Sequence, residues 1–413
     1  MRYGVEASIE NLKSKIKIMR KQAEAIKDEI IRLRRDIHAH PELGFEEIRT
    51  AGLVADTLAE IGIDNIKTQV GRTGVTATIG PGTGPTIGIR ADMDALPINE
   101  QVDHEYKSVT DGVMHACGHD AHTAMLLGVA HLLRQSFAEE GKEWKGNVKF
   151  LFQPSEEKWG DDGFSGATAM IADKAMDGVD FVIATHVGST GESGVCTFND
   201  GPSWAAADMW YAKIFAKGGH GAFPHRGTDP IFMLQTALNH IYGIRSRMVN
   251  PLEKSVVSIG AIQCGNAPNV IPAEIYVNGT IRSFDNEVRE TLWAETEKAF
   301  KLVETLGGSY EFDLSKGYIP MVNSGRVNDW MRKVTADLYG EEAVLNAPMG
   351  MAGEDFAYMA DMVPGAMFSL GAKTGEGTGH HTPLFDIDEN VLSQGSAILA
   401  ETARRFVMGQ FDE

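Results

Sequence analysis

Between Met114 and His122 the chain reads MHACGHDAH, and Cys117 and His119 flank Gly118 just ahead of a stretch that reads as a helix from about His122 to Phe137. A thiolate and an imidazole at a loop-to-helix junction suit Zn²⁺ or a similar transition metal, because the cation and the helix N-terminus both favour the ionised sulfur. No CxxC or HExxH spacing accompanies them, so the segment alone also admits a buried thiol beside surface histidines. The apolar run Val148 to Gln153 leads into Pro154, Ser155, Glu156 and Glu157. That places two adjacent carboxylates at the end of a buried strand, where α/β sheets keep their sites. Adjacent residues there point apart, so that one carboxylate binds a metal while the other accepts a proton from water. A Glu pair is by itself also an ordinary solvated turn. His186 lies near the end of a second apolar run, Phe181 to Val187, as a ligand or a bonded core imidazole, and the glycine-led loop Gly379-His380-His381-Thr382-Pro383 brings another imidazole back. Two acidic segments, RADMDALP with Asp92 and Asp94 and MAGEDFAY with Glu354 and Asp355, are ambiguous alone.

The elements that must position these groups alternate. Runs at Gly74 to Ile79, Thr86 to Ala91, Val148 to Gln153 and Phe181 to Val187 are β-rich and are separated by helical stretches, which indicates an α/β layer with a largely parallel central sheet flanked by helices. After about Asn199 the order becomes strand (Met209 to Ala216), helix (Pro230 to Arg247), two strands (Val256 to Ile262 and Glu274 to Arg282) and a helix from Glu287 to Leu306. α/β character resumes from Phe312 through Val327 to Tyr339 and ends in a helix from about Asn390 to Phe406. A discontinuous domain, 1–199 with 312–413, is therefore expected to carry an inserted α+β domain over 200–311. Ahead of both, Ile9, Leu12, Ile16, Met19, Ala23, Ile26, Ile30, Leu33 and Ile37 recur at steps of three and four, the stripe of a long amphipathic helix. Ala and Met on the stripe and the stop at Pro41 favour packing on the parent domain over a coiled coil.

With 413 residues the chain holds two or three domains at roughly 150 residues each. A formal charge of −19 repels phosphate backbones and anionic membranes, which argues against nucleic acid or a membrane surface as partner. No apolar run reaches the length of a membrane span, and the N-terminus lacks the basic and apolar regions of a signal peptide. Cys117, Cys196 and Cys264 are too scattered for a disulfide framework, so a cytoplasmic, reducing compartment is expected.

The order of nine segments carries a resemblance. IHAHPELGFEE, RADMDALP, MHACGHDAHTAMLLG, FQPSEE, ATHV, GGHGAFPH, NVIPAEIYVNGTIRSFD, AGEDFA and HHTP follow one another as in the hippurate hydrolase and auxin-conjugate hydrolase branch of the aminoacylase and carboxypeptidase metallopeptidases, from about residue 30 to the end. The resemblance implies two divalent metal ions (Zn, Mn or Co), with Cys117 bridging them, His119, Glu157, His186 and His381 completing the ligand set, and Glu156 as general base. It further implies a homodimer formed through the inserted domain, which acts as a lid. His220 matches a histidine that reaches a neighbouring active site, and Asn269 and Arg282 match groups that hold a substrate carboxylate, a task suited to the planar guanidinium fork. A plain loop histidine and an Arg282–Asp285 ion pair are the competing assignments. The expected activity is hydrolysis of an N-acyl amino acid or of the last peptide bond of a small peptide. Deamination or deacylation of an aromatic amine, or a non-catalytic binding protein, are the alternatives. The stretch Lys158 to Ser165 is longer than in many relatives, Gly188 to Ser193 lacks their proline-containing loop, and Trp204 and Thr382 replace smaller or different residues. Trp159, Phe164 and Trp204 imply a preference for bulky groups.

Overall fold

A computed structural model describes residues 18–348 and 350–411. In chain order its main elements are helices α1 (Lys27–Ala39) and α2 (Ile48–Ile61), strands β1 (Lys67–Val70), β2 (Gly74–Ile79) and β3 (Thr86–Asp92), helix α3 (His119–Glu140), strand β4 (Asn147–Gln153), helix α4 (Gly166–Ala172), strands β5 (Phe181–Gly188), β6 (Cys196–Phe198) and β7 (Ala206–Phe215), helix α5 (Pro230–Arg247), strands β8 (Ser255–Gln263) and β9 (Glu274–Ser283), helix α6 (Asn286–Lys301), strand β10 (Ser309–Ser315), helix α7 (Gly325–Tyr339), strands β11 (Val344–Asn346) and β12 (Gly365–Gly371), and helix α8 (Leu392–Val407). The chain divides into two compact units, one of residues 1–201, 322–349 and 358–413 and one of 202–321 with 350–357.

The first unit is built on one sheet in the order β1-β2-β4-β3-β5-β12-β6-β11. Its four central strands β4, β3, β5 and β12 run parallel, whereas β2 pairs antiparallel with β1 and β4, and β6 antiparallel with β12. The central strands are buried along nearly their whole length, as parallel strands covered on both faces must be, which is why they read as apolar runs rather than alternations. Helix α3 is buried nearly all round, between α1, α8 and the sheet. Gly128 permits this: a Cβ there would stand 2.8 Å from Ile30 Cδ1 and 2.8 Å from Ser396 Oγ. The amphipathic stripe is helical from 18 to 39 with a turn at Ile26, and Met19, Ala23, Ile30 and Leu33 enter the core of their own unit. The part of the stripe from Ile9 to residue 17 lies outside the described residues. Among the described residues no helix is long and apolar enough to cross a membrane.

The second unit is a four-stranded antiparallel sheet, β8-β9-β7-β10, with α5 and α6 packed on it. Here burial alternates along β7, so one face meets the helices and the other does not. The expected boundary at 311 is corrected: it would cut β10, which pairs with β7 from Ser309 to Ser315, and the unit runs on to Met321 and takes in 350–357. A Tyr-Glu-Phe-Asp-Leu alternation marks β10 as a half-exposed strand without an apolar run. Inside this unit Asp208 is fully buried and accepts from Arg289 Nε and Nη2 at 2.8 and 2.5 Å, from Trp293 Nε1 at 2.8 Å and from Gly317 N at 2.9 Å. Asp208→Asn leaves the buried guanidinium without its countercharge, and the expected loss of stability is about 3–5 kcal/mol by chemical denaturation.

Candidate metal centre

Parallel strands β3, β4 and β5 deliver the site at their C-terminal ends. Just past β3 comes Asp94, past β4 come Glu156 and Glu157, and β5 carries His186, while α3 begins at His119 in front of them. The turn after β4 is held from outside: Ser155 adopts φ +44°, its N–H donates to Glu47 Oε1 at 2.7 Å, and its hydroxyl donates to the Lys158 carbonyl at 2.7 Å. Burial and the nearby Asp94 raise Glu47 to about 7. A positive φ at a non-glycine residue is sustained only by such fixing partners.

The donor atoms of Cys117, His119 and His186 lie within 4.8 Å of one another, as do those of Cys117, Glu157 and His381 and those of His119, Glu156 and Glu157. Cys117 Sγ is 3.6 Å from His186 Nε2 and 3.7 Å from His380 Nδ1, and His381 Nε2 is 2.9 Å from Glu157 Oε1. Hydrogen bonds at the far ring nitrogens then sort the histidines. His119 Nδ1 faces the Asp94 carbonyl at 3.0 Å and its carboxylate at 3.1 Å, so the proton sits on Nδ1. Its Nε2 is buried and makes no hydrogen bond among the described residues. His186 Nδ1 donates to the Val187 carbonyl at 2.8 Å, which turns Nε2 toward the sulfur. His122 differs: Nδ1 bonds Asp92 at 2.6 Å and Nε2 accepts from Val187 N at 2.9 Å, so neither nitrogen is left for a metal. Asp94 also accepts from Glu157 N at 2.9 Å, which ties one ligand to the turn that carries another.

Electrostatics agree with a cation here. Burial pushes the Cys117 thiol well up, and Glu157, Glu156 and Asp92 push the same way; a divalent cation among these anions reverses that balance, because a coordinating thiol ionises. Burial opposes charge on His119, yet Asp92 and Asp94 outweigh it and raise it to about 10. Burial together with neighbouring imidazoles pushes His186 well down and His380 to about 4, which leaves both neutral and able to ligate. The orphaned His119 Nε2 and a soft-to-borderline donor set of S, N and O therefore fit a transition-metal pair.

Gly118, at φ +92°, separates the two leading donors, and a Cβ there would stand 2.3 Å from Val187 Cγ2. Gly118→Ala carries a strain of about 1–3 kcal/mol, and metal affinity measured with a competing chelator is expected to fall roughly tenfold to a hundredfold.

Of the residues read from the sequence, Cys117, His119, Glu156, Glu157, His186 and His381 come together within the first unit. His220, Asn269 and Arg282 belong to the second. His220 is exposed, on a two-residue ladder where it pairs with Val270, and its Nδ1 accepts from Ala222 N at 3.1 Å. Asn269 is exposed beside it, its carbonyl accepting from Gly221 N at 2.8 Å. Arg282 Nη1 donates to the Ile281 carbonyl at 3.0 Å, to the Asp208 carbonyl at 3.4 Å and to Thr280 Oγ1, while Asp285 is spent on capping α6 through Val288 N at 2.9 Å. Sequence reasoning left Asp94, Glu47 and His380 without roles. The Asp-x-Asp spacing after β3 pointed to the first, while nothing in the local pattern separated His380 from His381.

A thiolate, imidazoles and a carboxylate gathered beside a second buried carboxylate at the strand ends define a class, the metal-dependent hydrolases. The comparisons narrow it: residues 88–405 match the model of peptidase family M20/M25/M40, and the chain belongs to that family. It is 38% identical over 409 residues to thermostable carboxypeptidase 2 of Saccharolobus solfataricus, covering 96% of this chain and 98% of that one. It is 37% identical over 392 residues to IAA-amino acid hydrolase ILR1-like 2 of Arabidopsis thaliana, covering 92% and 85%. The fold superposes on the crystal structure of the Bacillus subtilis YXEP protein, a dinuclear metal binding peptidase of the M20 family, with a TM-score of 0.79, 32% identity and coverage of 93% and 99%.

Proposed function

We propose that the chain hydrolyses the amide of an N-acyl or N-aroyl amino acid, or the last peptide bond of a small peptide, and releases the free amino acid. The convergence of Cys117, His119, Glu157, His186 and His381 around Glu156 supports this reading most, and it accords with relatives named as a thermostable carboxypeptidase and as an IAA-amino acid hydrolase. Zn²⁺, Mn²⁺ or Co²⁺ suits the donors, and such cations acidify water and polarise a carbonyl. Glu156, only 5% exposed, takes the proton of the attacking water and returns it to the leaving nitrogen, its carboxylate kept next to the donors by the turn that Glu47 fixes. Asp94 holds the proton on His119 Nδ1, which leaves Nε2 for a ligand. Three free cysteines accord with a reducing, cytoplasmic setting. Amino-acid release from a panel of N-acetyl, N-benzoyl and indole-acetyl amino acids, with each metal, tests the substrate class; ammonia release without amino acid supports the deaminase alternative instead.

His220, Asn269 and Arg282 complete the proposal. In a homodimer built through the second unit, His220 stabilises the oxyanion in the partner's site while Asn269 and Arg282 hold the substrate carboxylate. Subunit exchange between inactive His220→Ala and inactive Glu156→Gln proteins tests the assignment in trans. A mixed dimer then carries both lesions in one site and none in the other, and recovers up to about half of wild-type activity. No recovery shows that His220 acts within its own subunit.

A further inference from the structure

Two imidazoles stand at nearly the same distance from the Cys117 sulfur, His186 Nε2 at 3.6 Å and His380 Nδ1 at 3.7 Å. Their far nitrogens show that they approach it in opposite states. His186 Nδ1 donates to the Val187 carbonyl at 2.8 Å, so Nε2 presents a lone pair, which the lone pairs of sulfur repel unless a cation lies between them. At His380 the order is reversed. Ser189, just past β5, donates its N–H to His380 Nε2 at 3.4 Å. That nitrogen therefore carries no proton, and the proton of the ring is on Nδ1, the nitrogen nearest the sulfur. Sulfur is larger than oxygen, so an N–H···S bond is longer than the usual N–H···O bond. An imidazole with one proton has one lone pair, and Ser189 takes it; His380 touches a ligand without being one. The Cys117 carbonyl is the other acceptor that engages this ring.

The loop is built to hold this orientation. His381 N–H donates to the Ala116 carbonyl at 2.9 Å, and the Ser189 hydroxyl donates to the Thr378 carbonyl. His381 adopts φ +58°, and the two neighbouring side chains diverge, His381 Nε2 to Glu157 Oε1 at 2.9 Å and His380 to Cys117. The His380 ring packs against those of His186 and Phe385, with centroids 5.3 and 5.2 Å away.

We propose that His380 is a positioning residue of the metal centre, whose Nδ1–H donates to the Cys117 sulfur and sets how strongly that thiolate donates to a cation. The proposal rests on Cys117 being a ligand, as read above. A hydrogen bond to a thiolate draws electron density from the sulfur, and partners outside the ligand set orient ligands and tune the metal in this way. Glu157 shares a donor group with the sulfur, so a donor that takes up part of the negative charge eases the gathering of anions there.

Full-length protein stripped with chelator and loaded with Co²⁺ tests this, because cobalt gives a thiolate-to-metal charge-transfer band whose energy follows the electron density on sulfur. The band is expected in the wild type and lost in Cys117→Ser. In His380→Phe, which keeps a ring and removes the donor, it should shift to longer wavelength. In His380→Asn, whose amide nitrogen stands near the place of Nδ1, it should return toward the wild-type position, a rescue that a merely displaced loop does not give. Neutron diffraction from wild-type crystals with metal bound needs no variant to fold and should show the proton on His380 Nδ1, directed at Sγ; it decides alone if His380→Phe takes up no cobalt. A wild-type band that stays unmoved in His380→Phe, or a proton on Nε2 or directed at the Cys117 carbonyl, overturns the proposal and leaves Cys117 as a ligand. No thiolate band in cobalt-loaded wild type removes Cys117 from the ligand set, and the proposal falls with that reading.

Discussion

Glu156→Gln protein is expected to keep its metal and lose about 10²–10⁴-fold in kcat, the range that positioned acid–base catalysis supplies. The substitution preserves size and leaves Cys117, His119, Glu157, His186 and His381 in place, so it removes the proton acceptor and little else. Glu156 and Glu157 are neighbours in sequence with different surroundings. Glu157 faces His381 Nε2 at 2.9 Å and its backbone is tied to Asp94, while Glu156 shares a donor group with His119 and Glu157. The same change at position 157 should therefore lower metal content, whereas at 156 metal content stays and turnover falls. Turnover within tenfold of wild type in metal-loaded Glu156→Gln protein removes Glu156 from the role of base.

The second large effect is expected from Cys117→Ser. The sulfur lies near His186 and His380 and shares one donor group with His119 and His186 and another with Glu157 and His381, in keeping with the bridging role proposed for it. A serine hydroxyl does not ionise near neutrality, so the bridge loses both its charge and its softness. Groups that merely orient ligands cost roughly 10–100-fold in metal affinity when removed, and loss of a bridging thiolate should exceed that. Metal content after dialysis is expected to fall from two ions per chain to one or none, with activity lost in parallel, while circular dichroism stays near wild type because Cys117 adds little to a core built from β3, β4, β5 and α3.

The legible parts of the chain are those where one physical demand dominates. Strands buried on both faces, such as Gly74–Ile79, and a helix with Pro at its first turn and Asp229 as its cap, Pro230–Arg247, match their sequence patterns end to end. Two three-residue strands at one end of the sheet, Cys196–Phe198 and the edge strand Val344–Asn346, escaped because three residues carry no period. β10 escaped because its strict polar–apolar alternation over Ser309–Ser315 offers no apolar run, and it lies next to a change of unit. At the site, residue type exposed Cys117, His119 and the Glu pair. Discriminating His119 from His122 needed the partner of each far nitrogen, Asp94 in one case and Asp92 with Val187 N in the other, which is a matter of three-dimensional approach.

The central claim is that hydrolysis runs on a pair of cations held by Cys117, His119, Glu157, His186 and His381. Its most direct measurement is amino-acid release from an N-acyl amino acid by chelator-stripped protein titrated with Mn²⁺, Zn²⁺ or Co²⁺, with bound metal counted at each step in both wild-type and Cys117→Ser chains. The account predicts no release from the stripped protein, activity rising as the wild-type cluster takes up two ions, and no comparable rise in Cys117→Ser. Release from metal-free protein, or equal activation of the Cys117→Ser chain, contradicts it.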